Sequence, residues 1–267
     1  MHSQLILIDR VEKSLRKLLK SLEDFPAHPR PSYVHELRSQ IRRLQAALAI
    51  PRVAHSHRAQ SLGKEIEPIR EASSRLRDTD VMFEKVLSLS QSANPDALIE
   101  LLTYIAQVRD KNEHRLCRAV DRHGKTVRKN LKEELALIAS LREGGSRRDK
   151  LSMSPGTLQS RVAQIRHEQD LDENNLHSFR IQVKELRYLM QLGSEPDTKR
   201  LENLKSVANA IGEWHDWAKL AKFAEKSLHP KRSIALLQRI SATREGKLRV
   251  ALSAGAALRR SQVETAA

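Results

Sequence analysis

Two stretches of the sequence, residues 33–48 and residues 176–190, repeat one pattern of apolar and basic residues. In both stretches apolar residues recur at i, i+4, i+7 and i+11, which places them along one side of an α-helix. The apolar positions are Leu37, Ile41, Leu44 and Leu48 in the first stretch, and Phe179, Val183, Leu186 and Met190 in the second. The spacing therefore predicts two amphipathic helices, each with one face in a hydrophobic core.

The opposite side of each predicted helix carries basic residues. In both stretches a histidine is followed by an arginine at i+3 and by an arginine or lysine at i+7, which keeps all three on one side of the helix. The basic residues are His35, Arg38, Arg42 and Arg43 in the first stretch, and His177, Arg180, Lys184 and Arg187 in the second. Like charges at these spacings destabilise an isolated helix, so an anionic partner is expected. The alternative is a charged face that meets only water, and the repetition disfavours it.

Each stretch is followed by a shorter motif that contains an aspartate. The first motif is Arg77-Asp78, and the second is Gly-Glu-x-x-Asp at residues 212–216. With these motifs the chain resembles, over nearly its whole length, the CHAD family of conserved histidine α-helical domains, whose two repeats carry an H-x-x-R-x-x-x-[RK] helix and a later R-D or G-E-x-x-D motif. The resemblance implies an all-helical protein that binds inorganic polyphosphate through the basic residues, with no established catalysis.

The two basic faces are not identical. Position 45 is Gln where family members with a denser stripe have another Arg, although the second stretch has Arg187 at the matching place. Glu185 occupies the position that corresponds to Arg43. The second basic face is therefore expected to be the narrower one.

The resemblance and the spacing together define the predicted binding site. The eight basic residues given above are expected to face a shared cleft or surface that binds polyphosphate. Weaker candidates are Arg75, Arg77 and Lys205. Asp78 and Asp216 are expected to pair with an arginine of a basic helix and to fix its orientation. A bound phosphate should raise the pKa of His35 and of His177. The alternative for each histidine is a hydrogen bond inside the bundle.

The net charge of +15 also favours a polyanionic partner. Binding to the phosphates of RNA or DNA is the alternative function, because a strongly basic protein binds nucleic acid phosphates to some extent. Aromatic residues make up only 3% of the chain, which disfavours recognition of nucleic acid by base stacking. Polyphosphate is therefore the expected partner, and other polyanions stay open.

Catalysis is not expected. His215-Asp216, together with His177, is similar to the metal-binding doublet of metal-dependent phosphohydrolases. The matching position in the first half is Arg77-Asp78, which cannot bind a metal in the same way. The sequence also has no phosphate-binding P-loop, no H-E-x-x-H and no G-x-S-x-G motif. We therefore predict no catalytic residue, no metal ligand and no cofactor.

The segment that contains the second aspartate motif has further predicted roles in packing. Trp214 and Trp217 are spaced i, i+3 and are expected to fill the core. Gly212 has no side chain and would let two helices approach closely.

Helical periodicity continues through most of the chain, and no strand pattern occurs. We therefore predict an all-α fold of two antiparallel helical bundles related by an internal pseudo-two-fold repeat. The first repeat covers residues 1–143, a linker covers residues 144–155, and the second repeat covers residues 156–267. Pro68 predicts a break or kink in a helix, and Gly124 predicts a helix end shortly before it.

The compartment is predicted from cysteine content and from apolar runs. The single cysteine, Cys117, excludes an intrachain disulfide. Neither a signal peptide nor a membrane-spanning run is recognised. A cytoplasmic protein is expected, with association to polyphosphate granules as the finer expectation.

Overall fold

The computed structural model describes residues 2–48, 57–89, 95–143, 162–163, 165, 170–192 and 197–264. These residues contain seven long α-helices and no strand, which confirms the all-α prediction. The helices are α1 (His2–Glu23), α2 (Pro31–Leu48), α3 (His57–Leu87), α4 (Pro95–Glu143), α5 (Leu176–Leu192), α6 (Thr198–Ser227) and α7 (Ile234–Glu264). None of the described helices is long and apolar enough to cross a membrane.

The chain divides into two compact units that are not consecutive in sequence. Unit 1 consists of Met1–Arg77, Lys111–Thr157 and Tyr188–Pro196. Unit 2 consists of Asp78–Asp110, Leu158–Arg187 and Asp197–Ala267. The helices α3, α4 and α5 each contribute residues to both units. The predicted linker, residues 144–155, lies outside the described residues. Compactness in space and repetition in sequence are different properties, so the two sequence repeats and their pseudo-two-fold relation stay predictions.

Unit 1 has a hydrophobic core built by α1, α2, α3 and α4. On α2 the predicted apolar face is buried, since Leu37, Ile41 and Leu44 are at most 2% exposed. The side chain of Leu48 lies outside the described part. Burial of one face orients the opposite side of α2, with its basic residues, away from the core.

Two predicted helix boundaries in unit 1 do not exist. The helix α3 is continuous through Pro68, so the predicted break does not occur, and a kink at this residue stays a prediction. The helix α4 continues past Gly124 to Glu143, so the predicted helix end was wrong. Val120 and Val127, on either side of Gly124, are both buried in the unit 1 core. This packing outweighs the cost of about 1 kcal/mol for a glycine inside a helix.

Unit 2 has its own core, which joins the end of α3 and the start of α4 to α6 and α7. Trp214 and Trp217 of α6 are buried, as predicted. On α5 the predicted core residues Phe179, Val183 and Leu186 are buried, whereas Met190, which belongs to the part of α5 in unit 1, is half-buried. Leu189 is buried beside it, at 4% exposure. The apolar face of α5 therefore follows the prediction over its first three positions.

Candidate anion-binding sites

The basic side of α2 forms the candidate site of unit 1. His35 and Arg43 are exposed, while Arg38 and Arg42 are half-buried. The Nε of Arg38 donates a hydrogen bond of 3.1 Å to the hydroxyl of Ser74 on α3. This contact fixes the plane of the Arg38 guanidinium, which carries five donors in a rigid fork suited to phosphate oxygens.

A buried amide supports Arg43 on the same helix. Gln40 is fully buried, and its side-chain amide donates to the carboxylate of Glu36. Its carbonyl oxygen accepts from Nη1 of Arg43 at 3.4 Å. A buried amide needs hydrogen-bond partners for both its donor and its acceptor. The buried Gln40 therefore helps to orient the guanidinium of Arg43.

Two arginines of α3 are already paired with carboxylates. Arg70 hydrogen-bonds Glu67, which lowers the pKa of the Glu67 carboxyl group even though its partial burial opposes this shift. The weaker candidate Arg75 forms an ion pair of 3.6 Å with Glu71. Both members of that pair are more than half exposed, so the pair is worth little in water. The other weaker candidate on this helix, Arg77, is half-buried.

The basic side of α5 forms the candidate site of unit 2. Its four predicted residues, His177, Arg180, Lys184 and Arg187, are all half-buried. The Nε of Arg180 donates to the backbone carbonyl of Ala208 on α6 at 3.1 Å. A Cβ atom added to Gly212 would lie 2.7 Å from Nη2 of Arg180. The close approach predicted for Gly212 is therefore one between α6 and the guanidinium of Arg180.

Two imidazole rings are stacked in the unit 2 site. The rings of His177 and His215 have centroids 4.3 Å apart and are inclined by 27°. Burial lowers the pKa of His215 to about 3, and the cations Lys219, Arg180 and Lys222 near the ring, as well as His177, act in the same direction. The imidazole of His215 is therefore uncharged at neutral pH and adds no positive charge to a site that is already basic.

The two predicted orienting aspartates both lie in unit 2. Asp78 accepts a hydrogen bond of 2.6 Å from Nζ of Lys219 on α6, whereas the sequence predicted an arginine of a basic helix as its partner. Burial raises the pKa of the Asp216 carboxyl group, the nearby Arg180 opposes this, and the charge of Asp78 raises the pKa further. The carboxyl group of Asp216 thus interacts electrostatically with Arg180 of α5. Whether either aspartate orients a binding residue stays a prediction.

A glutamate of α6 forms ion pairs with two further lysines in unit 2. Both carboxylate oxygens of Glu213 lie 2.7 Å from Nζ of Lys85 on α3, and one lies 3.8 Å from Nζ of Lys247 on α7. The ammonium of Lys85 also lies 5.7 Å from the centre of a ring of Trp217. By contrast, the weaker candidate Lys205 is exposed and pairs with Glu202 of its own helix. The lysines that contact Glu213 thus come from two other helices, α3 and α7.

The described residues contain no group of three or more His, Cys, Asp or Glu side chains that could hold a metal ion.

A comparison with models of protein families shows which family the chain belongs to. The family model described as the CHAD domain matches residues 9–225, which is most of the length of the chain. The chain belongs to the CHAD domain family. The family resemblance seen in the sequence motifs is thereby confirmed.

Two solved structures are similar to this CHAD chain. PptA from Streptomyces chartreusis is 14% identical, with a TM-score of 0.61, over 98% of this chain and 99% of PptA. The CHAD domain from the plant Ricinus communis is 17% identical, with a TM-score of 0.62, over 98% of this chain and 91% of the plant domain. At these identities the likeness shows a shared fold. None of the curated proteins matches the chain.

Sequence reasoning on this CHAD domain missed the residues that hold the basic side chains. Ser74, Gln40 and Lys219 contact predicted site residues in the structure, and the sequence patterns assign none of them a role. His215 entered the sequence analysis only as part of a metal-binding doublet. One signal was available for Ser74, which lies four residues before Asp78, as Gly212 lies four residues before Asp216. A search for matched positions would have selected Ser74.

Proposed function

We propose that this CHAD domain binds inorganic polyphosphate through the basic side chains of α2 and α5. The observation that carries the proposal is the matched anchoring of Arg38 and Arg180. Each guanidinium lies on a helix with the same basic spacing, and each donates through Nε to the helix that packs beside it. An arginine that is already oriented loses less conformational entropy when it binds a phosphate.

The chemistry of the ligand fits these groups. Polyphosphate carries negative charge at every phosphate and has no bases, so a receptor for it needs repeated cationic donors. Arginine offers bidentate hydrogen bonds to phosphate oxygens, and lysine offers a point charge. Within unit 2, Lys184 and Arg187 follow Arg180 along the same helix, and Lys219 and Lys222 carry further charge on α6. We propose that binding occurs without catalysis.

Binding to the phosphate backbone of RNA or DNA is the alternative function. The net charge of +15 supports it, because counterion release drives any basic protein towards nucleic acid. Specific single-strand recognition usually adds stacking of bases on aromatic rings. Both tryptophans of this chain are buried, and only 3% of its residues are aromatic. These features favour the inorganic polyanion.

The test is a competition titration at about 0.15 M salt, where charges on the surface are screened as in cells. Labelled long-chain polyphosphate is bound to the protein and displaced with unlabelled polyphosphate, RNA or duplex DNA at equal phosphate concentration. We expect displacement by polyphosphate at a much lower phosphate concentration than by either nucleic acid. Equal displacement by RNA would instead support the nucleic acid function.

We also propose that the protein associates with polyphosphate granules. The test is to follow the location of the labelled protein in a cell that makes polyphosphate, where we expect it to collect at the granules.

A further inference from the structure

A third run of basic residues with the spacing i, i+3 and i+7 lies on α4. Its members are Arg115, Arg118 and Arg122, and all three are exposed. This is the spacing of the basic residues on α2 and on α5, although the first position here is an arginine rather than a histidine. The three side chains therefore lie along one side of α4.

The three arginines line a pocket in unit 1 together with Pro68 of α3 and with Ala119 and His123 of α4. Pro68 and Ala119 contribute apolar atoms to its lining. Nδ1 of His123 lies 3.0 Å from a carboxylate oxygen of Glu65, so this acidic group already has a partner. The pocket is thus concave and strongly cationic.

The arginines of this pocket differ in their partners from other basic residues of unit 1. Arg115 donates to the amide oxygen of Asn112 at 3.1 Å, which is a neutral partner. Within the part of the chain that the structure describes, Arg118 and Arg122 have no carboxylate within 4.0 Å. Other basic residues of unit 1 are paired, for example Arg70 with Glu67. Like charges three and four residues apart repel each other on a helix, so an anion in the pocket would stabilise this arrangement.

We propose that Arg115, Arg118 and Arg122 form an additional binding surface for linear phosphate chains. The three positions span about 10 Å of the helix axis, which suits a chain of several phosphates better than a single phosphate ion. None of the residues that line the pocket is Phe, Tyr or Trp, so the pocket lacks the large aromatic rings on which proteins usually stack the bases of single strands. The identity of the ligand rests on the proposed function, whereas the site uses different residues from those of α2 and α5.

The test is protection of individual arginines from phenylglyoxal, an arginine-specific reagent, by tripolyphosphate. Modification of each arginine in the full chain is followed by mass spectrometry. At a tripolyphosphate concentration of about ten times the Kd of the α4 surface, the unoccupied fraction of that surface falls roughly tenfold. The modification rates of Arg118 and Arg122 should fall by the same factor. The controls are Arg232 and Arg239, two exposed arginines of unit 2. Protection of Arg118 and Arg122 no stronger than that of the controls overturns the proposal.

The same measurement on the variant Arg38→Gln/Arg180→Gln separates this site from the one proposed above. We expect Arg118 and Arg122 to stay protected in that variant, and loss of their protection would overturn their independence. In the wild-type chain, protection of Arg38 and Arg180 alone would support the proposed function and refute the α4 surface. Protection of Arg118 and Arg122 alone would support the α4 surface and refute the proposed function.

A second readout is the number of tripolyphosphate molecules bound per chain. Arg118→Gln/Arg122→Gln should bind one fewer than Arg232→Gln/Arg239→Gln, which loses the same charge. All four residues are exposed, so both variants should fold. Equal stoichiometry in the two variants refutes the α4 surface.

Discussion

The basic helices α2 and α5 carry the same sequence pattern but lie in different surroundings. Arg38 of α2 is held by a side-chain hydroxyl, whereas Arg180 of α5 is held by a backbone carbonyl and fits against a glycine. His35 is exposed, whereas His177 is half-buried and stacked on a second histidine. The pattern thus sets the spacing of the cations, and the neighbouring helix sets how rigidly each is oriented. The unit 2 site is the more constrained of the two.

The largest expected effect comes from removing both anchored arginines. Arg38→Ala/Arg180→Ala should weaken polyphosphate binding by at least about 100-fold, because each charged hydrogen-bonding group contributes roughly 1.5–3 kcal/mol. The control is Lys13→Ala/Lys20→Ala, which removes two exposed charges from α1. Affinities are compared by titration with labelled polyphosphate at one salt concentration. Equal losses in both variants would mean that net charge alone explains binding and that no specific site exists.

The next effect tests the tighter environment of Arg180. Gly212→Ala places a Cβ atom 2.7 Å from Nη2 of Arg180, so the guanidinium must move. We expect polyphosphate binding to weaken about tenfold, equivalent to roughly 1.4 kcal/mol. Thermal stability should stay the same or rise, because alanine is favoured over glycine inside a helix by about 1 kcal/mol. Unchanged affinity with full stability would show that the position of Arg180 does not matter for binding.

A smaller effect is expected for the anchor of Arg38. Ser74→Ala removes one neutral acceptor, which typically contributes about 0.5–1.5 kcal/mol, so we expect affinity to fall about threefold. The same titration measures it. Ser140→Ala is a matched control, because the hydroxyl of Ser140 is exposed and donates only to the carbonyl of Leu137 within its own helix. A loss larger than that of Gly212→Ala would reverse the ranking of the two sites.

The last effect concerns stability and its dependence on pH, rather than a change in polyphosphate affinity. The pKa of His215 is about 3 in the folded chain and about 6.5 when unfolded, so the unfolded chain binds more protons between these values. The stabilising contribution of neutral His215 is therefore complete above pH 6.5 and is lost progressively as the pH falls towards 3. In His215→Gln the decrease in melting temperature between pH 6.5 and pH 4 should be smaller by a few degrees. A parallel decrease in both proteins would contradict the buried, neutral state of His215.

The sequence by itself determined the all-α class, the buried faces of α2 and α5, and the spacing of the basic residues. These properties depend on the period of the α-helix, which relates residues only a few positions apart. For the same reason helical spacing alone assigns the eight predicted cations to two helix faces. The family motifs were equally local, and they led to the CHAD domain.

The tertiary structure alone decided which groups orient those cations. The contacts of Arg180 with Ala208 and Gly212, and of Lys219 with Asp78, join residues that are 28 or more positions apart. Such contacts depend on which helices pack together, and no local pattern specifies that. Packing likewise overrode the local signal of Gly124, since the buried residues on both sides of it keep α4 continuous. Helical periodicity placed the charges on the surface, and long-range packing determined their orientation.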